Sequence, residues 1–426
     1  MKQIKLAALA IAFAALASCA HVPEKWVDFE TDWSDLDPKT SFVPFEASSC
    51  YLTEESINDC ALPGGGTVGD GGADGTKTSS IYPTTIGKEI ISLVQSSNIK
   101  SYCGTYWSVD QDGRPVAISG RILVPADGKV SRVMVVGHFT IGNNLEAPSL
   151  SFPLEGIFAG RGLAVVISDY IGYGTTVDRV HPYLCNTLTA RNVVDMYYAA
   201  LPFLDYIGCT PKYDDIYIMG YSQGGATAIA VQDYIEKRCD DIKIRLNMAG
   251  GGPYDITATF DKWVENDFTD YPCAIPMVIY GLEAGEHLQL DYSKVFLPRL
   301  LPDIYDWINS KKYYMHEVTM LLGTKKISDI ITEDTRDKTS EAMGPLYYAM
   351  QKNSMTYSFN PVAPLYLFHS IDDNVVPFVN AVLLREALKS RSANVTYNFG
   401  NYGAHSAGFI RFLATSIGLL ETRGDI

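Results

Sequence analysis

Positive charge is scarce in this chain: 34 lysines and arginines stand against 49 acidic residues, a formal net charge of −15. That balance argues against a nucleic-acid partner and against an electrostatic hold on anionic lipid, since both need a cationic face. It leaves neutral ligands open. Metal-ligand spacing is also missing. No Cys-x-x-Cys and no His-Glu-x-x-His occurs, so a metal centre has no support in the sequence. The apolar run at the start, Leu6 to Leu16, is too short to span a bilayer comfortably.

That short run follows Lys2 and Lys5 and ends in Leu16-Ala17-Ser18-Cys19. A positive start, a brief apolar stretch and small residues read as an export signal over residues 1–18. The last four residues resemble the bacterial lipobox. The resemblance implies cleavage before Cys19, lipid on its sulfur and a membrane-anchored, exported lipoprotein. The alternative is ordinary secretion with Ala17 and Ser18 as the cleavage residues. Without Cys19, seven of the eight cysteines remain, so at least one is unpaired. Export permits disulfides, and Cys50 and Cys60, close in sequence, make the expected pair. Residues 19–80 have no strong periodicity, and Pro63 to Gly75 is glycine-rich, which suits a tether or a long surface loop.

Order is expected from about residue 81. Ile86 to Gln95 has helical spacing. Tyr102–Val109 and Val116–Val124 alternate around Asp112-Gly113, a hairpin signal. Arg132–Gly137 and Leu163–Asp169 are short apolar strands, Thr187–Leu201 reads as a helix, and Ile242–Met248 as another strand. After residue 359 come a strand over Pro364–Phe368, a helix over Phe378–Leu388, a strand over Val395–Phe399 and a helix over Ser406–Leu420. Apolar strands alternating with helices predict an α/β fold with a mostly parallel sheet covered on both faces. The core is expected in two parts, 81–254 and 360–426. Between them, 255–359 is rich in aromatic and aliphatic residues and reads as a helical cap insertion. Leu297, Leu300, Leu301, Ile304, Tyr305 and Ile308 keep helical spacing there, and Trp307 is a bulky candidate for the wall of a pocket.

Gly220-Tyr221-Ser222-Gln223-Gly224-Gly225 is the centre of the chain. The apolar strand Asp215–Met219 precedes it and a helical stretch, Ala226–Lys237, follows. Strand, Gly-x-Ser-x-Gly and helix together predict a tight turn that leaves the Ser222 hydroxyl exposed at a strand end. The N–H of Gln223, at the helix start, then faces the place where a negative oxygen develops. A serine hydroxyl needs a base, and the base needs an orienting acid. Of the seven histidines, His405 lies in the loop between the last strand and the last helix, from which an imidazole reaches Ser222. The acid is expected between them in chain order, in the loop His369-Ser370-Ile371-Asp372-Asp373-Asn374, where two adjacent aspartates compete.

These motifs resemble those of the α/β-hydrolases over roughly residue 100 to the end. More narrowly, Asp169-Tyr170-Ile171-Gly172-Tyr173-Gly174 and His181-Pro182-Tyr183-Leu184 are similar to the secretory lipases of the fungal lipase A type. The resemblance implies Ser222, Asp373 and His405 as nucleophile, acid and base. It places the acid at Asp373 through the pattern His-x-x-x-Asp-x-x-Val-Pro. The family's usual glycine in that loop is Ser370 here. Its His-Gly oxyanion stretch is altered to Gly137-His138-Phe139-Thr140, which leaves the second oxyanion donor between Phe139 and Thr140 beside Gln223. The implied activity is carboxylic-ester hydrolysis, lipase or esterase, on a small-molecule or lipid ester and without a cofactor. A serine peptidase of the same fold and a non-catalytic binding protein are the competing expectations.

Overall fold

Strands buried on both faces read as unbroken apolar runs, and the central sheet is built of them. In a computed structural model the described residues are 34–45, 61–62, 66–67, 99–151, 153–391 and 394–426. The export signal, Cys19, Cys50, Cys60 and the expected helix over Ile86–Gln95 lie outside them, as does most of the glycine-rich stretch. The sheet has nine strands. In chain order they are β1 (Val43–Pro44), β2 (Ile99–Val109), β3 (Pro115–Pro125), β4 (Arg132–Gly137) and β5 (Leu163–Ser168). Then come β6 (Lys212–Tyr221), β7 (Lys243–Gly250), β8 (Leu365–Ser370) and β9 (Val395–Gly400).

Their spatial order is β1-β2-β3-β5-β4-β6-β7-β8-β9. The first three pairings are antiparallel and all those from β5 to β9 are parallel. The expected hairpin is β2–β3. Chain order reverses at β4, which lies between β5 and β6, and Gly137 at the end of β4 pairs with Gly220 at the end of β6. In open parallel sheets such a switch leaves a crevice beyond the carboxyl ends of the strands.

Alternate side chains of one strand feed two cores. Val133 and Val135 of β4 join the cluster under α1 (Asn186–Tyr206) and α2 (Gln223–Arg238). Met134 and Val136 join the cluster on the other face, with Phe409 and Phe412 of the last helix, α11 (His405–Thr422). Part of the expected N-terminal extension belongs to this core. Phe42 is fully buried, its N–H donates to Ala199 O at 2.7 Å, and β1 pairs with β2. A two-residue strand has no room for periodicity, so no pattern announced it.

Between β7 and β8 the chain makes seven helices. They are α3 (Ile256–Asn266), α4 (Ala274–Glu286), α5 (Tyr292–Val295), α6 (Ile304–Asn309), α7 (Met315–Leu322), α8 (Glu333–Arg336) and α9 (Gly344–Asn353). Helices this short are marginal alone. They share a separate apolar cluster with Phe260, Ile275, Phe296, Leu300 and Leu346 at its centre, joined by Tyr183, Leu184 and Cys185 of the core. Burying each such side chain contributes about 1.5–3 kcal/mol. The helical spacing from Leu297 to Ile308 does not give one helix. The helix begins only at Ile304, because Pro298 and Pro302 interrupt the run, and Leu297 to Asp303 turns instead. One further helix, α10 (Val379–Lys389), follows β8.

Candidate active site

The turn from β6 into α2 holds Ser222 at φ 59° and ψ −125°. A non-glycine residue in that region is strained and persists only where its surroundings fix it. The flanking glycines provide the room. A Cβ at Gly220 would stand 2.0 Å from the carbonyl oxygen of Gly224, and one at Gly224 would stand 2.0 Å from that of Gly137. The second contact also shows that the end of β4 is packed against the start of α2. The Ser222 N–H donates to Gly250 O at 2.9 Å, which ties the turn to β7.

His405 opens α11, and its Nε2 lies 2.8 Å from Ser222 Oγ. Its Nδ1 lies 2.7 Å from Oδ2 of Asp373. The other carboxylate oxygen of Asp373 accepts the backbone N–H groups of Val375 and Val376 at 2.9 and 2.8 Å. The Asp373 side chain is fully buried. Burial alone would raise its carboxyl, but the charge and hydrogen bond of His405 outweigh that and hold it below the usual range. Asp372 is exposed. His369 stands behind Asp373 with Nε2 donating to Val376 O at 3.0 Å, and burial pushes its imidazole down.

Two further side chains fix the loop that leads to His405. The Tyr221 hydroxyl donates to His405 O at 2.8 Å. Ser370, the departure from the usual glycine noted above, donates from Oγ to Gly403 O at 2.6 Å and accepts the Tyr402 N–H at 3.1 Å. Ser370 therefore ties the end of β8 to the histidine loop, a role that a glycine cannot fill.

Ser222 is only 8% exposed. It faces a cavity of about 320 Å³. Phe139, Thr140, Tyr183, Leu184, Val376 and Phe409 wall the cavity from the core, and Trp263, Tyr271, Ala274, Met315 and His316 wall it from the insertion. Trp307 is not among them. It is partly buried against the insertion's own cluster instead. Glu146 also reaches the cavity, and burial raises its carboxyl to about 7.

Behind Gly137-His138-Phe139-Thr140 lies a buried layer that motif reading did not assemble. His138 stacks on Tyr170 at 4.0 Å, and its Nδ1 lies 2.6 Å from Phe139 O. The Tyr183 hydroxyl lies 2.8 Å from Thr140 Oγ1. His181 Nδ1 donates to Ile171 O at 2.7 Å, and its Nε2 faces the Gln223 amide at 2.8 Å. Burial, then the nearby charge of Lys311, pushes His181 down to about 3, and burial pushes His138 down to about 4. Both imidazoles are neutral at neutral pH. Gly172, at φ 97°, lies so close that a Cβ there would meet His181 at 2.6 Å. The two tyrosine-rich motifs thus form the floor under Gly137-His138-Phe139-Thr140. Among the described residues no group of histidine, cysteine and carboxylate side chains is arranged to hold a metal ion.

No curated protein sequence matches the chain. Among solved structures the fold is similar to that of the rice cell wall degrading esterase LipA from Xanthomonas oryzae, at TM-score 0.67 and 21% identity over 79% of this chain and 94% of that one. It is also similar to lipase A of Candida antarctica, at TM-score 0.56 and 15% identity over 74% of both chains. The closed state of that lipase gives TM-score 0.59 and 16% identity over 78% of this chain and 80% of that one. At such identities the likeness speaks for the α/β-hydrolase fold. The sequence profile of the secretory lipases matches residues 154–423, more than half of the chain. By that match the chain belongs to the secretory lipase family, and it is a carboxylic-ester hydrolase of the α/β-hydrolase fold.

Proposed function

We propose that this lipase-family enzyme cleaves its ester through an acyl-enzyme formed on Ser222, with His405 as base and Asp373 as orienting acid. The observation that carries the reading is the run of two short contacts, Ser222 Oγ to His405 Nε2 at 2.8 Å and His405 Nδ1 to Asp373 Oδ2 at 2.7 Å. Ser222 Oγ attacks the ester carbonyl carbon while its proton passes to Nε2 of His405. Asp373 accepts the Nδ1–H and offsets the charge of the imidazolium. The carbonyl oxygen, now negative, takes hydrogen bonds from the N–H of Gln223 and from an N–H at Phe139 or Thr140. The C–O bond to the alcohol breaks, and Nε2 returns the proton to the leaving oxygen. Water then attacks the acyl carbon, His405 takes its proton, and the acid leaves as Ser222 Oγ is reprotonated. No cofactor enters. The ester hydrolase reading replaces the peptidase and binding-protein expectations.

Residues 255–359 act in this reading as a cap that supplies much of the acyl or alcohol pocket, because an apolar, aromatic wall suits an acyl chain. The family is a secretory one, in keeping with export. The lipobox-like Leu16-Ala17-Ser18-Cys19 adds to the proposal a lipid anchor at Cys19. No helix among the described residues is long and apolar enough to cross a membrane. The direct test is a serine-reactive fluorophosphonate probe. Wild-type protein is expected to take one label at Ser222 and lose ester turnover with it. A labelled protein that still hydrolyses p-nitrophenyl esters at full rate removes Ser222 as nucleophile.

A further inference from the structure

The loop that carries Asp373 also carries Asn374, and Asn374 is held on two sides. Its Oδ1 accepts the backbone N–H of His405 at 3.0 Å. Its Nδ2 donates to Oδ2 of Asp270 at 2.5 Å. The orientation is forced. A backbone N–H only donates and a carboxylate only accepts, so the amide must turn its oxygen to His405 and its nitrogen to Asp270. The His405 N–H belongs to the first turn of α11, where helix donors lack partners within the helix. The residue at that helix's cap, Ala404, gives no side-chain hydrogen bond. Asn374 therefore caps the helix that begins with His405, and it does so from the loop that holds Asp373.

Asp270 lies between α3 and α4, in the insertion. Its other oxygen accepts from Lys325 Nζ at 2.6 Å. Burial would raise the Asp270 carboxyl, but the hydrogen bonds from Lys325 and Asn374 outweigh it and hold the group below its usual range. A second bond ties the same loop to the same insertion: Trp263 Nε1 donates to Val375 O at 2.9 Å. A continuous line thus runs from Lys325 through Asp270 and Asn374 to the main chain of His405. Only an amide of this length serves at 374. Aspartate would set two carboxylates together, and leucine would take this partner from the His405 N–H and from Oδ2 of Asp270, which would keep Lys325 on its other oxygen.

We propose that Asn374 is a positioning residue for His405, set in turn by Asp270, so that the imidazole meets Ser222 in line only while the insertion is seated on the acid loop. The proposal rests on His405 acting as the base. Asp270 and Asn374 also line the cavity, but their hydrogen bonds run to the His405 main chain and to each other, so the loss is predicted to fall on kcat more than on KM.

The test is steady-state kinetics of the full chain on a p-nitrophenyl ester. Asn374→Leu is expected to lower kcat about 10-fold and to change KM by less than that, although Asn374 lines the cavity. Asp270→Ala is expected to lower kcat roughly fourfold, and Asp270→Asn, which keeps an acceptor oxygen for Asn374, to recover most of that loss. The double variant Asp270→Ala with Asn374→Leu should be no slower than Asn374→Leu alone, because Asp270 acts only through Asn374. A folded Asn374→Leu with kcat within about twofold of wild type overturns the proposal, and so does a double variant whose loss is the product of the two single losses. A merely structural cap would lower the unfolding midpoint and leave kcat in place. Should Asn374→Leu fail to fold, the Asp270 pair and Asn374→Asp carry the same test, Asn374→Asp falling below wild type through repulsion from Asp270. Wild-type turnover and an inert Ser222→Ala are run alongside. An inert wild type, or an active Ser222→Ala, defeats the triad reading. An active wild type with unaffected Asn374 and Asp270 variants defeats only the positioning.

Discussion

The side-chain amide of Gln223 donates from Nε2 to Nε2 of His181 at 2.8 Å. The residue whose backbone N–H opens α2 therefore has its side chain pinned away from the cavity, against a buried ring. That contact needs an unprotonated Nε2. Because Nδ1 already donates to Ile171 O, His181 is held as one neutral tautomer.

A pH dependence follows from it. His181 has a folded pKa of about 3, below the ordinary 6.5, through burial first and Lys311 second. Stability from a depressed imidazole is fully present above the unfolded pKa and is lost as pH falls from about 6.5 toward the folded value, at about 1.4 kcal/mol per unit. His138, lowered to about 4 by burial, acts in the same direction. Urea unfolding midpoints of the wild type should fall as pH drops from 7 to 4. His181→Gln should start lower and fall less steeply. Equal slopes in the two proteins would contradict the assignment.

The two aspartates of the acid loop should separate cleanly. Asp373→Asn puts a neutral amide against Nδ1 of His405 and favours the wrong tautomer, so kcat should drop by roughly 10³–10⁴-fold. Asp372→Asn, on an exposed side chain, should stay within about threefold of wild type. The opposite ranking on one ester, with both variants folded, would move the role to Asp372.

Acyl-chain preference should follow the cavity wall. Met315 lines the cavity and Trp307 does not. Met315→Ala should shift the ratio of kcat/KM for a long over a short p-nitrophenyl ester by about 10-fold toward the long one, the size expected for a methylene or two of added room. Trp307→Ala should leave that ratio unchanged even where it lowers stability. A shift with Trp307→Ala alone would mean that the substrate lies elsewhere.

Anchoring is read from cell fractionation. Wild-type protein should sediment with membranes and incorporate labelled fatty acid. Cys19→Ala should do neither, and should be found soluble or unprocessed. Wild-type protein found wholly soluble would remove the anchor.

How far the sequence reached depended on the kind of signal. Strands β4, β5 and β8 were legible because burial on both faces demands apolar runs, and helices α1, α2, α10 and α11 because they alternate with strands, while β9 is an edge strand only partly buried. The turn at Ser222 was legible because its close approaches admit only glycine at 220 and 224. Inside the insertion the same logic failed. Helical spacing from Leu297 to Ile308 is also what a buried turn provides, and Pro298 and Pro302 decided the matter. Trp263 and Trp307 look alike as letters, and only the fold shows that Trp263 faces the cavity. His181 on Gln223 and Asp270 on Asn374 lie 42 and 104 positions apart. Periodicity carries no information about polar partners at that distance.

The order of parts along the chain has a consequence for biogenesis. The serine turn lies just past the middle of the 426-residue chain, and Asp373 and His405 follow only after the whole insertion, on β8's loop and at the start of the last helix. On the proposed triad, a chain emerging from the ribosome therefore carries Ser222 for more than a hundred residues before its base, His405, is made. Domains fold as complete units, so on that reading Ser222 gains its base only when the last helix docks. A chain stalled before that point would carry Ser222 without its proposed base.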